Sequence, residues 1–342
     1  MEHKLIVGDS TDLSQISDKS VQLIVTSPPY PMIEMWDEVF AEQDSSIKDD
    51  LDSGNGLDAF YKMHAILNKV WDECDRVLED NGFVCINVGD ATRTLGKTFQ
   101  LFSNHTAIIN HFLDLGYCVL PDVHWRKQSN APNKFMGSGM YPAGAYVTYE
   151  HEYILIFRKG GKRTFTGAKK ALRQESAFFW EERNVWFSDL WEIKGKSQMM
   201  PKSAATRNRN ASFPFDIPYR LVNMYSTKGD VVLDPFCGLG TTNLACIAAE
   251  RNSIGVDIDF EVISLAEDII TEKATQVNRV IQKRIDDHLA FIEALSSDKK
   301  NKCYINKPHD FLVKTRQETA LKIKRVKSVE RKGNIFISTY EE

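Results

Sequence analysis

The segment TSPPY places a hydroxyl group, two prolines and a tyrosine directly after an apolar run. It occupies residues 26–30 and follows QLIV, a run typical of a buried strand. Two prolines cannot continue a sheet ladder or enter a helix smoothly, so we predict a rigid loop that projects from the strand. The Ser27 hydroxyl and the Pro28 carbonyl would then be fixed hydrogen-bond acceptors. A simple Pro-Pro turn with a packed tyrosine is the alternative interpretation.

A second segment joins a strand, a glycine-containing turn, a helix and another strand. It reads VVLDPFCGLGTTNLACIAAERNSIGVDID and spans residues 231–259. Gly238 and Gly240 would let the backbone approach a ligand closely, and the helix start offers free N–H groups. Asp257, after the second strand, could accept both hydroxyls of a ribose. This pattern alone is weak evidence for a ligand site, because the full GxGxxG fingerprint is missing.

Together the two segments resemble the motifs of one enzyme family. DPFCGLGTT is similar to the S-adenosylmethionine loop of DNA amino-methyltransferases, and TSPPY is similar to their catalytic tetrapeptide. The resemblance extends from residue 3 to about residue 270. Because the catalytic loop comes first, the chain resembles the permuted, beta-type subgroup, whose recognition region lies between the two loops. The cofactor residues that the resemblance implies are Asp9, Phe213, Pro214, Asp234, Phe236, Gly238, Gly240, Thr241 and Asp257.

The resemblance also implies a mechanism. An exocyclic amino nitrogen is a poor nucleophile because its lone pair is delocalised into the ring, and fixed acceptors for its N–H groups would localise that pair. Neither a covalent intermediate nor a metal is needed. A base extruded from duplex DNA would stack on Tyr30. Trp125 resembles the second wall of this pocket, although a lone tryptophan at a strand end is often a core residue. The catalytic residues implied are Ser27, Pro28, Pro29 and Tyr30.

Serine at the first catalytic position resembles the cytosine-N4 members of the family. We therefore expect site-specific cytosine-N4 methylation of double-stranded DNA, with a cognate restriction endonuclease as genetic partner. Three alternatives stay open: adenine-N6 methylation, a non-catalytic DNA-binding relative, and methylation of RNA or of a protein glutamine, for which the family carries Asn where Ser27 stands. Carbon-5 cytosine methylation is disfavoured because the chain contains no Pro-Cys dipeptide.

Seven apolar runs must form the strands that position these loops. Helical patterns lie between many of them, at 58–79, 99–115, 217–226 and 241–249. This alternation predicts a doubly wound, mostly parallel seven-stranded α/β sheet of Rossmann-like type, with the pair 118–127 and 152–159 as antiparallel edge strands. The predicted strands are residues 4–9, 22–27, 83–89, 118–127, 152–159, 231–236 and 253–258.

Charge and composition suggest a division into four parts. The net charge of −4 hides an acidic segment at 34–58, expected on a flexible face away from phosphate, and a basic, aromatic stretch at 160–211. We expect residues 1–159 to be the catalytic half, 160–211 a target-recognition insert, 212–275 the cofactor-binding half, and 276–342 a helical and basic extension. The lysine-rich tail at 299–332 is either a DNA arm or a solubilising extension.

The bulk composition indicates a globular protein. The 342 residues include six scattered cysteines without metal-site spacing, which we interpret as reduced structural thiols. The sequence has no apolar run of about 18 residues and no secretory pattern at Met1, so we expect no membrane contact and a cytoplasmic location.

Overall fold

The computed structural model of the protein describes residues 1–127, 136–195 and 213–342. The strands are β1 (Glu2–Val7), β2 (Val21–Thr26), β3 (Leu78–Val88), β4 (Ala91–Leu95), β5 (Thr98–Phe102), β6 (Cys118–Arg126), β7 (Met136–Gly137), β8 (Ala145–Tyr146), β9 (His151–Arg158), β10 (Leu190–Trp191), β11 (Val231–Asp234), β12 (Asn252–Asp257), β13 (Tyr304–Asn306), β14 (Phe311–Val313), β15 (Val326–Lys332) and β16 (Ile335–Tyr340). The helices are α1 (Asp37–Gln43), α2 (Ser46–Ser53), α3 (Gly56–Val77), α4 (Asn104–Asp114), α5 (Gly167–Glu175), α6 (Trp180–Trp186), α7 (Asp216–Tyr225), α8 (Thr241–Ala248), α9 (Phe260–Lys273), α10 (Asn278–Glu293) and α11 (Ser297–Lys300).

One twisted sheet organises the molecule, in the order β10-β6-β9-β3-β2-β11-β12-β1-β16-β15. Strands β3, β2, β11, β12 and β1 run parallel, and β9 is antiparallel to both β3 and β6. The predicted doubly wound, mostly parallel sheet is confirmed, and all seven predicted strands belong to it. Three further strands extend it at the two edges. The predicted antiparallel pair is β6 and β9, but neither is an edge strand, because β9 also pairs with β3 and β6 also pairs with the short strand β10.

The central strands are buried on both faces, which explains their continuous apolar runs. In β2, Leu23 and Val25 face the layer that contains α7 and α8, whereas Ile24 faces the layer that contains α3 and α4. These three side chains are at most 1% exposed. The alternation follows from the two-residue period of a strand, so the sheet is the middle layer of three.

One helix is shorter than predicted. The pattern at 99–115 predicts a helix throughout, but α4 begins only at Asn104 because residues 98–102 form β5, which pairs with β4. This hairpin packs against the start of α3. A Cβ on Gly56 would lie 2.5 Å from Leu95 Cδ1 and 2.9 Å from Phe102 Cζ. Tertiary contact therefore overrides the local helical pattern here.

The lysine-rich tail ends in β15, which extends the main sheet together with the following strand β16. β16 pairs with β1, and β15 pairs with β16. The buried His3 ring connects this edge, since its Nδ1 lies 2.8 Å from Ser253 Oγ and its Nε2 lies 2.9 Å from Ser338 Oγ. Burial lowers the pKa of His3 to about 3. Residues 326–340 are thus part of the folded sheet.

The basic and aromatic stretch is partly a packing surface within the chain. Phe179 is fully buried and stacks on His288 with 3.8 Å between ring centroids. Arg284 forms a buried ion pair with Glu182. By contrast, α5 exposes its lysines and arginine to solvent. Residues 196–211 of the predicted insert lie outside the described part of the chain. No helix in the described residues is long and apolar enough to cross a membrane.

Candidate active site and cofactor cavity

The order of the strands brings the two sequence motifs together. β2 lies directly beside β11, with Leu23 opposite Val232 and Ile24 opposite Leu233. The TSPPY loop follows β2, and the DPFCGLG turn follows β11. Because parallel strands end at the same edge of a sheet, both loops lie at one crevice, together with the residues that follow β1 and β12.

A cavity at this edge collects residues from all four of these strand ends. The predicted site residues that line it are Asp9, Ser27, Pro28, Pro29, Phe213, Asp234, Phe236, Gly238, Thr241 and Asp257. Apolar side chains of α3 and of the segment after β12 complete the wall, as do Trp36, Val39 and Phe40. The cavity therefore combines apolar walls with carboxylates at strand ends, a composition that suits a ligand with a purine, a ribose and a charged end.

Four predicted site residues do not line this cavity. Gly240 is the N-cap of α8 with φ of 73°, and a Cβ there would lie 3.2 Å from Ile270 Cδ1. Its glycine is thus needed for backbone geometry and helix packing. Pro214 is buried, and its carbonyl accepts from the Ile217 amide at 3.0 Å.

The other two predicted residues outside the cavity wall are aromatic. Trp125 is 3% exposed, and its indole N–H donates to the Ile193 carbonyl at 2.8 Å. The ring therefore packs in the core beside the site, and its assignment to a base pocket stays a prediction. Tyr30 lies behind Ser27, where its hydroxyl enters a polar network of strands β3 and β9.

Asp234 connects the catalytic segment to the cofactor turn. Its Oδ1 accepts from Thr26 Oγ1 at 2.6 Å and from the Phe236 amide at 3.1 Å, and its Oδ2 accepts from Thr242 Oγ1 at 2.6 Å. Burial raises the pKa of Asp234 to about 6, although these hydrogen bonds oppose the shift. Both carboxylate oxygens are thus engaged within the protein, so Asp234 fixes the relative position of the two loops.

The carboxylates at the ends of β1 and β12 shape the rest of the cavity wall. Asp257 Oδ2 accepts from the Gly238 amide at 3.1 Å, which holds the glycine turn against the end of β12. Asp9 is exposed and accepts from the Thr11 amide at 2.9 Å. Next to it, Ser10 Oγ donates to the Pro235 carbonyl at 2.6 Å and so ties the first loop to the DPF turn.

The catalytic segment is held from below by the first residue of α4. Asn104 is buried, and its Nδ2 donates to the Pro31 carbonyl at 3.0 Å and to the Gly89 carbonyl at 2.9 Å. Met32, which follows Pro31, is buried and has a φ of 68°. A left-handed conformation at a buried methionine is costly and is retained only where its surroundings fix it. The loop is therefore rigid, as two prolines alone already suggest.

A polar network surrounds the Ser27 hydroxyl on the side away from the cavity. Ser27 Oγ lies 3.0 Å from the Tyr30 hydroxyl, which donates to Glu152 Oε2 at 3.0 Å. Asn87 Nδ2 donates to the Tyr30 oxygen at 2.8 Å and to Glu152 Oε2 at 2.6 Å. Glu152 Oε1 forms an ion pair with Lys127. Burial, and next the charge of Glu152, raise the pKa of Tyr30, so that its phenol keeps its proton at neutral pH.

Similarity to a known protein family identifies the class of this protein. The N6/N4 methyltransferase family model, described as DNA methylase, matches residues 21–268. The chain belongs to the N6/N4 DNA methylase family. It is therefore an S-adenosylmethionine-dependent DNA methyltransferase.

Two archaeal relatives are similar over most of their length. This methyltransferase is 48% identical over 344 residues to the Type II methyltransferase M.MthZI of Methanothermobacter thermautotrophicus, covering 99% of this chain and 95% of that protein. It is 47% identical over 290 residues to the Type II methyltransferase M.MjaI of Methanocaldococcus jannaschii, covering 80% of this chain and 93% of that protein. These similarities identify the methyltransferase as one of the Type II class.

Two solved structures share its fold. TTHA0409 of Thermus thermophilus, crystallised in complex with S-adenosyl-L-methionine, is 30% identical, with a TM-score of 0.62 over 80% of this chain and 94% of that chain. The cytosine-N4-specific PvuII DNA methyltransferase is 16% identical, with a TM-score of 0.55 over 78% of this chain and 86% of that chain. The second likeness concerns the fold alone.

Several residues of the methyltransferase site were missed by reasoning from sequence. Asn87 and Glu152 carry a weak signal, since each is a polar residue within an otherwise apolar strand. Asn104 and Lys127 carry none, because their roles depend on contacts between distant segments.

The acidic segment at 34–58 requires a correction. It was expected on a flexible face, yet Phe40 and Ile47 are at most 1% exposed, and Trp36, Val39, Phe40 and Gln43 line the cavity of the methyltransferase. Asp37 forms two hydrogen bonds with Arg93 of β4, at 2.8 and 2.7 Å. The acidic residues face solvent because the opposite side of each short helix packs inward.

Proposed function

We propose that this methyltransferase modifies N4 of cytosine within a specific duplex DNA sequence, as the modification partner of a cognate restriction endonuclease. The observation that carries the proposal is the position of Ser27. Ser27 lines the cavity that also contains the glycine turn, Asp9 and Asp257. A serine at the first position of the catalytic tetrapeptide is the family's usual arrangement for cytosine N4. The Type II relatives support the pairing with a restriction endonuclease.

The cofactor binds, in this proposal, across the carboxyl ends of β1, β11 and β12. Asp9 lies near the adenine, Asp257 accepts from the ribose hydroxyls, and the turn around Gly238 and Thr241 holds the methionine part. Phe213 and Phe236 form part of the apolar wall of the cavity. S-adenosylmethionine, when bound, supplies an electrophilic methyl group on a sulfonium centre.

The protein side of the reaction consists of orientation and hydrogen bonding. The extruded base enters the cavity at the TSPPY loop, and its amino group donates to Ser27 Oγ and to the Pro28 carbonyl. These acceptors localise the nitrogen lone pair. Pro29 and the buried contacts of the loop keep the acceptors fixed, so little reorganisation is needed in the transition state.

The recognition region in this proposal is the 160–211 insert. Its helix α5 exposes Lys169, Lys170 and Arg173 to solvent, and positive side chains on an exposed helix suit contact with phosphates. The four-part division predicted from sequence is kept as part of the proposal.

Nucleoside mass spectrometry tests the chemistry and the base together. Purified protein is incubated with S-adenosylmethionine and mixed-sequence duplex DNA, and the DNA is then digested to nucleosides. N4-methylcytosine is expected. N6-methyladenine would reject the base assignment and keep the mechanism.

A matched variant separates the role of Ser27 from general damage. Ser27→Ala removes one acceptor and is expected to lower kcat by about 100-fold while leaving the Kd for S-adenosylmethionine unchanged. Absence of any methylated nucleoside with the unaltered protein, despite cofactor binding, would indicate a non-catalytic DNA-binding relative.

A further inference from the structure

In the polar network behind Ser27, the chemistry of each group determines which one donates and which one accepts. An ionised carboxylate can only accept hydrogen bonds, and a lysine ammonium can only donate them. Glu152 accepts from Lys127 on Oε1 and from both Tyr30 and Asn87 on Oε2. The Tyr30 proton is therefore committed to Glu152, at an O···O distance of 3.0 Å.

The direction continues from Tyr30 to Ser27. With its proton given to Glu152, the Tyr30 oxygen can only accept, and it accepts from Asn87 at 2.8 Å. The remaining contact of that oxygen is Ser27 Oγ at 3.0 Å, so the Ser27 hydroxyl must be the donor. Asn87 lies 3.5 Å from Ser27 Oγ, and its two hydrogens serve the shorter contacts to Tyr30 and Glu152. The Ser27 lone pairs are thus left for a donor in the cavity.

We propose that Glu152 is a positioning residue that makes Ser27 a hydrogen-bond acceptor for the target amino group. Glu152 acts through the Tyr30 hydroxyl and does not touch the reacting atoms. The inference rests on the role proposed for Ser27, and it holds for either target base. If the chain of donors were reversed, the Ser27 proton would face the amino group, where it would oppose rather than assist the nucleophile.

Lys127 sets the orientation of the carboxyl group at residue 152. In Glu152→Gln the Lys127 ammonium selects the amide oxygen, which turns the NH₂ group toward Tyr30. The NH₂ group then faces both Asn87 Nδ2 and the Tyr30 hydroxyl, so this position no longer accepts from either, and the Tyr30 proton turns toward Ser27. Glu152→Gln therefore reverses the direction of the hydrogen bonds while it keeps a side chain of the same size at this position.

Single-turnover methylation with labelled S-adenosylmethionine, at saturating cofactor and DNA, measures the effect. Glu152→Gln is expected to slow the methyl-transfer rate by at least about tenfold, with the Kd for S-adenosylmethionine unchanged. Glu150→Gln removes a neighbouring carboxylate that pairs, among the described residues, only with Arg126, at 3.7 Å, and is expected to react at the unaltered rate. A Glu152→Gln rate equal to that of the unaltered protein would overturn the proposal.

A double variant tests the direction itself. In Lys127→Met/Glu152→Gln the amide is free to turn its oxygen toward Tyr30 and Asn87, so the methyl-transfer rate should recover several-fold relative to Glu152→Gln. A double variant as slow as, or slower than, Glu152→Gln would overturn the proposal, because the freed amide oxygen should again accept the Tyr30 proton.

A second route avoids reliance on variants at position 152 that fail to fold. Tyr30→Phe removes the hydroxyl that transmits the effect, and it is expected to slow the rate by a similar factor. A Tyr30→Phe rate equal to that of the unaltered protein would contradict the inference. Failure of the proposed function is distinct, since it would appear with the unaltered protein, either as an absence of labelled DNA or as label in N6-methyladenine.

Discussion

At the residue scale, one carboxylate joins the two halves of the site. Asp234 accepts from Thr26 of the catalytic segment and from Thr242 at the start of α8, both at 2.6 Å. A displacement of either loop would break a short, buried hydrogen bond, which costs about 1–3 kcal/mol when a polar group is left unpaired. The relative position of acceptor and cofactor turn is thus fixed before any ligand binds.

The pH dependence of stability should reveal this buried carboxyl group. Its pKa is about 6 in the folded protein and near the ordinary 3.8 when unfolded, so the folded state holds the proton more tightly. The contribution of the Asp234 carboxyl group to the free energy of unfolding is present at low pH and is lost as pH rises toward and through 6. Asp234→Asn abolishes this loss. From pH 5 to pH 7, the free energy of unfolding of the variant should therefore rise by about 1 kcal/mol relative to that of the unaltered protein.

Urea unfolding at pH 5 and at pH 7 measures the difference. Glu330→Gln, which removes an exposed carboxylate, is the control and should show the same pH dependence as the unaltered protein. An Asp234→Asn variant whose free energy of unfolding follows the unaltered protein across this range would contradict the prediction.

The residues that contact the cavity were largely accessible from sequence, because strand ends and motif spacing identify them. Ser27, Asp9, Gly238 and Asp257 all meet at one edge for that reason. The network residues were not accessible. Glu152 follows 125 residues after Ser27, and only the insertion of β9 beside β3 brings its carboxylate within reach of Tyr30.

At the element scale, the close approach of β12 to α8 and the DPF turn determines the shape of the cavity floor. Gly255 permits it: a Cβ there would lie 2.7 Å from Asn243 Oδ1, 2.9 Å from Cys237 Cβ and 3.0 Å from Leu5 Cδ2. These atoms belong to packed side chains on three sides, which cannot all move away. The strand must therefore shift if a side chain is added.

Gly255→Ala should lower the free energy of unfolding by about 1–3 kcal/mol and weaken S-adenosylmethionine binding, because β12 carries Asp257. Differential scanning calorimetry and isothermal titration calorimetry measure the two effects. Gly195→Ala is the control, since no atom of the described residues lies within 4 Å of a Cβ at Gly195. Equal behaviour of the two variants would contradict the prediction.

Element prediction succeeded where local pattern and tertiary environment agree. The seven central strands and the helix α3 were evident from their apolar periods. β15 was missed because its lysine-containing sequence resembles a solvated tail, yet lysines on an edge strand discourage pairing with other chains. β16 was missed although its sequence IFISTY is typical of a strand. β5 was missed because its apolar residues also fit the helical period that continues into α4.

At the scale of the whole molecule, charge is unevenly distributed over a chain with net charge −4. The inner side of α1 lines the cavity and its acidic side faces outward, whereas α5 carries exposed positive side chains. An acidic surface repels phosphate and a basic one attracts it, so we expect the charge pattern to orient DNA relative to the protein.

Lys169→Gln/Lys170→Gln should reduce the salt dependence of duplex DNA binding, with the slope of log K against log salt concentration falling by up to about 2. Fluorescence anisotropy at several salt concentrations measures it. Lys273→Gln/Lys283→Gln removes the same charge from α9 and α10 and is the control. An unchanged slope for the α5 variant, or an equal change in the control, would exclude α5 as a phosphate-binding surface.

The position of β1 between β12 and β16 has a consequence for biosynthesis. Among the described residues, β1 pairs only with strands that are synthesised much later, since His3 and Ser253 are 250 residues apart. At about 5–20 residues per second, the nascent strand waits for tens of seconds with both edges unpaired. Its short length and its charged residues Glu2 and Lys4 would limit misassociation during this interval. Production of the folded protein should therefore be sensitive to translation rate and to the supply of chaperones that bind extended chains.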